Sequence, residues 1–152
     1  MNIGLLTNEL LTDIRNKSHE ECANTISDVE ARYRTEAGNH KNEEVYRCML
    51  EAASTLSHIV GRYLNDTAGF EADDSANIPD AFVYDLNLSE RRMQGKAQAM
   101  ADAMHSYIVH YTLSRYYITV AAPDLAKTHT ELATAAATLV QRLMYTKKPP
   151  LI

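Results

Sequence analysis

A chain of 152 residues, 45% hydrophobic and 23% charged, has the size and composition of one folded domain. Twenty acidic against fifteen basic residues, a net charge of -5, argue against broad non-specific nucleic-acid binding. Composition excludes intrinsic disorder, collagen and a disulfide scaffold, and no run approaches the ~18 consecutive apolar residues of a spanning helix. Met1-Asn2-Ile3-Gly4 lacks the charged and apolar regions of a secretory signal, so the expected setting is cytoplasmic, with no membrane partner.

Thr7 as N-cap, with Leu10, Leu11 and Ile14 on one face, predicts a short helix over residues 7–17. Ser18-x-x-Glu21 has the spacing of a capping box. It predicts a second helical stretch to about Ala37, stopped by Gly38-Asn39. Ile26, Val29 and Tyr33 are the only stripe there, which places the stretch on the surface or against a neighbour. Asn42 as cap, Glu43 and Glu44 in the first turn, and Val45, Met49, Ala52, Leu56, Ile59, Val60, Tyr63 and Leu64 at helical period predict a core helix over 43–65.

Residues 66–80 read as a long loop. Between Leu64 and Ser89 stand Asp66, Glu71, Asp73, Asp74, Asp80 and Asp85 and no basic residue, which is either a solvated loop or an acidic partner surface. Phe82, Tyr84, Leu86 and Leu88 alternate with Val83, Asp85 and Asn87, the period of a strand. Such a strand needs a partner, either residues 89–95 returning as a hairpin or a strand from a neighbouring subunit. The longest helix follows, over about 96–121. Met100, Met104, Tyr107, Ile108, Tyr111 and Ile118 form one stripe, and Leu113, Tyr117 and Val120 extend it to a second face. Its tyrosines, Tyr116 and Tyr117 above all, suit either a subunit contact or a core with hydroxyls reaching solvent. Pro123-Asp124 opens a last helix, 124–145, with Leu125, Leu132, Ala136, Leu139, Val140 and Leu143 as its stripe. Two prolines end it, leaving a tail with Lys147, Lys148 and Leu151 as candidate contacts. The expected fold is all-α. It is a bundle of about four to five helices with a short strand or β-hairpin around residues 81–94 and an extended C-terminal tail. It forms a single domain, made of an N-terminal helical extension (1–41), a core bundle (42–146) and the tail (147–152).

Chemical motifs are sparse. No G-x-S-x-G, P-loop, G-x-G-x-x-G or H-E-x-x-H occurs. His19 and Cys22 supply half of a zinc site, and Asp102-x-x-His105 supplies half of a di-iron pattern, each without its second half. Cys48 reads as a small buried hydrophobe. No cofactor, metal or catalytic residue is expected.

The helix ending Ile59-Val60-Gly61-Arg62-Tyr63-Leu64 comes first, then a loop with Pro79. Next is the run Ala103-Met104-His105-Ser106-Tyr107-Ile108-Val109-His110-Tyr111-Thr112-Leu113-Ser114-Arg115-Tyr116-Tyr117, and last a helix after Pro123-Asp124. Over about residues 45–145 this layout resembles the small head–tail connector (adaptor) proteins of tailed bacteriophages and prophages. The resemblance implies a non-enzymatic structural protein that forms a ring between portal and tail, through which DNA passes without specific binding. Its partners would be copies of itself, the portal and tail-completion proteins, in the cytoplasm during assembly and then in the virion. Asp66, Glu71, Asp73 and Asp74 would line the channel or meet the portal. Phe82, Tyr84 and Leu86 would pair with a neighbour's strand, and Lys147, Lys148 and Leu151 would dock on an adjacent subunit or on the portal. Two other readings compete. One is a small helical regulatory or protein-binding module of a bacterial host. The other is a metal-dependent bundle enzyme, which needs His19, Cys22, Asp102 or His105 to converge in one pocket.

Overall fold

In the computed structural model, residues 1–65, 78–88, 93 and 95–145 are described. They form a helical bundle with five α-helices and a two-stranded antiparallel sheet. The order is β1 (Asn2–Leu6), α1 (Thr7–Thr25), α2 (Val29–Thr35), α3 (Asn42–Ile59), β2 (Ala81–Asp85), α4 (Ala97–Thr119) and α5 (Pro123–Met144). Single 3-10 turns, Asn39–Lys41 and Gly61–Tyr63, flank α3. No helix among the described residues is long and apolar enough to cross a membrane.

The centre is α4, which packs against α5 along its length and also against α3, α1 and β1. Its two apolar faces account for this: Met100, Met104, Ile108, Leu113, Tyr116 and Tyr117 are all fully buried. Ile118, expected in the same stripe, is exposed near the helix end. The helix stops in a Schellman turn. The Ala121 N–H donates to the Ile118 carbonyl and the Ala122 N–H to the Tyr117 carbonyl. Ala121 sits at φ 59, the left-handed position that glycine usually fills. Pro123 then opens α5, since a first-turn residue needs no N–H partner.

Helix α5 turns its alanine face inward. Ala126, His129, Ala133, Ala136, Val140 and Met144 are buried, whereas Leu132 and Leu139 are 43% and 42% exposed. The expected leucine stripe is therefore only half inside. Small side chains let two helices approach closely, and that packing won over the larger area of the leucines.

The strand at Ala81–Asp85 finds its partner in the same chain. It pairs with Asn2–Leu6, with Ile3 opposite Tyr84 and Leu5 opposite Phe82. Neither a hairpin return nor a neighbour's strand makes this pair, and Phe82, Tyr84 and Leu86 are buried under it. The sequence signal for β1 was Ile3 and Leu5 inward against Asn2, Gly4 and Leu6 outward, a period too short to stand out.

Residue Ser18 does not cap a helix. Helix α1 runs unbroken through it to Thr25, and the chain turns at Ile26–Asp28 instead, where the Asp28 carboxylate accepts from the Glu30 N–H. Ser18 is fully buried, and its Oγ accepts from the Ala37 N–H at 2.8 Å and from the Tyr117 hydroxyl at 3.0 Å. Tyr116 donates to the Glu36 carbonyl at 2.9 Å. Neighbouring tyrosines of α4 thus hold the 36–37 segment, and with Leu10, Ile14 and Cys22 they draw the first 41 residues into the common core. Helix α3 begins at Asn42 and ends at Ile59, short of Leu64, because Gly61 follows and the chain tightens into its 3-10 turn.

Candidate functional site

Two polar clusters join α1 to the α4–α5 hairpin. The inner one is a relay of three side chains. Glu21 of α1 holds both carboxylate oxygens 2.8 Å from His129 Nε2, and His129 Nδ1 lies 3.0 Å from His110 Nδ1 on α4. The His129 side chain is 3% exposed and that of Glu21 26%. A carboxylate only accepts, so His129 Nε2 carries the proton. The Nδ1–Nδ1 contact needs one ring to donate and the other to accept, so the two facing nitrogens share one proton. The rings are stacked, with centroids 5.2 Å apart, and the Tyr117 ring lies against His129 at 5.7 Å. Burial, the neighbouring His129 and then Lys17 push the His110 pKa down to about 4, against a weaker upward pull from Glu21. At neutral pH His110 is uncharged.

The outer cluster is a dyad in an open cleft. His105 Nε2 of α4 lies 2.5 Å from Asp13 Oδ2 of α1, with side-chain exposures of 24% and 49%. The cleft, about 430 Å³, is lined by Gly4, Leu5, Glu9, Asp13, Gln98, Ala101, Asp102 and His105. Its charged walls are acidic: Glu9 and Asp13 on α1, Asp102 on α4. Gln98 Nε2 donates to Asp102 Oδ1 at 2.9 Å, while His105 pairs with Asp13.

The other sequence-predicted residues are scattered. His19 turns to Glu36 at 2.8 Å, away from Cys22, which is fully buried beside Ser18 and Tyr117. Burial pushes the Cys22 thiol up from its ordinary value and the Cys48 thiol up to about 11. Among the described residues no three His, Cys, Asp or Glu side chains stand close enough to hold a metal ion. Tyr116 and Tyr117 are fully buried core residues whose hydroxyls bond inside the chain, which corrects their expected place at a subunit contact or reaching solvent. Asp66, Glu71, Asp73, Asp74, Lys147, Lys148 and Leu151 lie outside the described residues.

No family model matches the chain, and none of the curated proteins or solved structures compared with it matches.

The relay was missed in the sequence because its members are 108 and 19 residues apart. Only their placement shows them together. A visible hint was His129 on the inward face of a helix otherwise lined by alanine.

A further surface feature is apolar. Leu132 and Leu139 stand seven residues apart on the outer side of α5, with half-buried Leu125 seven residues before them. Between the hairpin and α3 runs a groove of about 420 Å³ with Ile59, Tyr111, Ile118 and Ala137 in its walls. It is bounded by the Tyr111 hydroxyl donating to Glu51 at 2.9 Å and by the Arg115–Glu51 ion pair at 3.2 Å.

Proposed function

We propose that this protein is a non-enzymatic structural component, a head–tail connector that assembles as a ring between a phage portal and its tail. The observation that carries this reading is the outer face of α5. Its leucines recur every seven residues on a helix that already buries its alanine face, with Leu132 and Leu139 exposed at 43% and 42%. A helix apolar on two sides suits a subunit boundary. In a ring, every copy offers this face to the next. The order of elements adds support: a helix, an acidic segment ending at Pro79, a strand, a long tyrosine-bearing helix and a final helix after Pro123. An acidic segment 66–74 facing a channel would let DNA pass without adhering to it.

The test is recovery of partners. The tagged protein is drawn from lysate of the source cells after DNA damage induces prophages, and co-purifying proteins are identified by mass spectrometry. Portal, capsid or tail proteins are expected. Their absence together with one cellular partner overturns the connector reading in favour of a regulatory module. Within the connector reading, Leu132→Glu with Leu139→Glu is expected to leave the fold intact and abolish rings on the portal, as seen by electron microscopy.

A further inference from the structure

The sheet has two strands, so β1 has a second edge, and the register fixes what that edge presents. Met1 and Leu86 exchange backbone hydrogen bonds at 2.8 Å, and the Thr7 N–H donates to the Asp80 carbonyl at 2.9 Å. In an antiparallel ladder, bonded pairs alternate. Ile3 and Leu5 therefore bond to β2. Asn2 and Gly4 aim their N–H and C=O groups away from it, and Leu6 its N–H, while the Leu6 carbonyl opens α1 as its N-cap. The far edge of β2 is partly covered, since the Asn65 N–H donates to the Asp85 carbonyl and the Asn87 N–H to the Tyr63 carbonyl. Among the described residues no backbone group bonds to the outer edge of β1. That edge also lacks the lysine, proline or bulge that usually guards one.

The acidic cleft lies along this edge. Gly4 has no side chain, so it lines the cleft with its backbone. The charged side chains there are Glu9 and Asp13 of α1 and Asp102 of α4, with His105 bound to Asp13. A second hollow, about 370 Å³, continues past Glu9, Asp13 and His105 to Asn8 and Thr12. No lysine or arginine lines either one. The two faces of the sheet differ. Ile3 and Leu5 are buried on the inner face, where α1 and α4 pack. On the outer face stand Leu6 and Val83, 51% and 55% exposed. A strand laid beside β1 therefore has carboxylates on its inner side and apolar surface on its outer side. A second copy of this chain fits that place poorly. Its own β1 edge carries the same carboxylates, and two chains of net charge -5 repel each other.

We propose that the open edge of β1 receives, by strand addition, an extended segment of a partner protein in which basic residues alternate with apolar ones. Main-chain bonds to Asn2, Gly4 and Leu6 hold the segment, and its side chains give selectivity. Successive side chains of a strand point to opposite faces. Every second one turns in towards Glu9, Asp13 and Asp102, and those between lie beside Leu6 on the outer face. The inference goes beyond the connector reading and is independent of it.

The test uses the full chain and a capped seven-residue peptide, Lys-Val-Lys-Val-Lys-Val-Lys, titrated by fluorescence anisotropy. Binding with a dissociation constant below about 1 mM is expected. It should be at least tenfold tighter than for a peptide of the same composition with its lysines and valines in two blocks. Glu9→Gln with Asp102→Asn is expected to weaken it at least tenfold. Backbone methylation reads the edge itself, because only every second amide of a strand faces β1. Methylating all the valine amides or all the lysine amides should abolish binding in one case and spare it in the other. Saturating peptide should slow exchange of the Gly4 and Leu6 amides at least tenfold. No binding overturns the proposal, as does equal affinity for the block peptide or in the charge variant. Equal affinities of the two methylated peptides, or unchanged exchange at Gly4 and Leu6, overturn it too. So does a dimer in which those amides are already protected without peptide, since a second copy then occupies the edge.

Discussion

Asp13–His105 and Glu21–His129 are the same chemical pair in two surroundings. Both tie α1 to the α4–α5 hairpin, and the acids lie two turns apart on one helix. The outer pair has the shorter contact, 2.5 Å against 2.8 Å, yet its members are 24% and 49% exposed, against 3% and 26% for the inner one. Contact distance would rank the outer pair first. Burial ranks it second, because water replaces an exposed partner at little cost, whereas a buried group left unpaired retains its full desolvation penalty. The inner pair is also chained to His110, so losing one member disturbs two others.

The sharpest way to break this contrast is His129→Ala. It leaves Glu21 and His110 without their shared partner and opens space beside Tyr117. A loss of about 2–4 kcal/mol is expected, read as a shift of the urea midpoint. Next in size is the pH dependence of the relay. The folded pKa of His110 is lowered to about 4, from an ordinary value of 6.5. Between these values the unfolded chain binds a proton that the fold refuses. Stability is therefore full above pH 6.5 and falls as the pH drops towards 4. After allowance for solvent screening the loss is about 1–2 kcal/mol. His110→Gln can still donate to His129 and does not titrate. Urea melts of both proteins from pH 7 to pH 4 are expected to diverge by that amount, and parallel curves would rule the relay out as the source.

Much of the fold could be read from the chain. The periodic residues of α4 and the proline start of α5 placed both helices within two residues of where they stand, and those of α3 placed its start but overran its end at Ile59. The failures share a physical origin, since each depends on a contact distant in sequence. Ser18 and Glu21 have capping-box spacing, but Ser18 is held by Tyr117 and Ala37, and Glu21 by His129. The strand at 81–85 was visible in its alternation, while its partner was not, because Ile3 lies 81 residues before the Tyr84 it pairs with. On α5 the leucines looked like the buried face, because hydrophobicity reveals which residues gain from burial but not which helix face is thin enough to approach α4. The candidate site was less legible than the fold. Six histidines were visible, but which of them meet a carboxylate is decided by how α1 crosses the hairpin.

A third buried polar group on the same side of the comparison sharpens the rule with the opposite sign. Thr112 of α4 is fully buried, and its Oγ1 has no hydrogen-bond partner among the described residues. Unlike His129 it already carries the cost of an unpaired polar atom. Thr112→Val keeps the shape and removes that atom, and is expected to stabilise the protein by about 0.5–1 kcal/mol, read as a higher urea midpoint at unchanged slope.

The smallest expected effect lies at the outer pair, where it separates the two explanations most cleanly. If contact length set the strength, His105→Gln would cost as much as the change at His129. If exposure sets it, the loss stays within about 0.5 kcal/mol, because Asp13 is half open to water and rehydrates in place. Salt adds a second discriminator, since exposed pairs are screened and buried ones much less so. The small cost of His105→Gln should vanish in 1 M sodium chloride, while the cost of His129→Ala should persist there. A His105→Gln loss above about 2 kcal/mol that resisted salt would mean the outer pair is buried in solution.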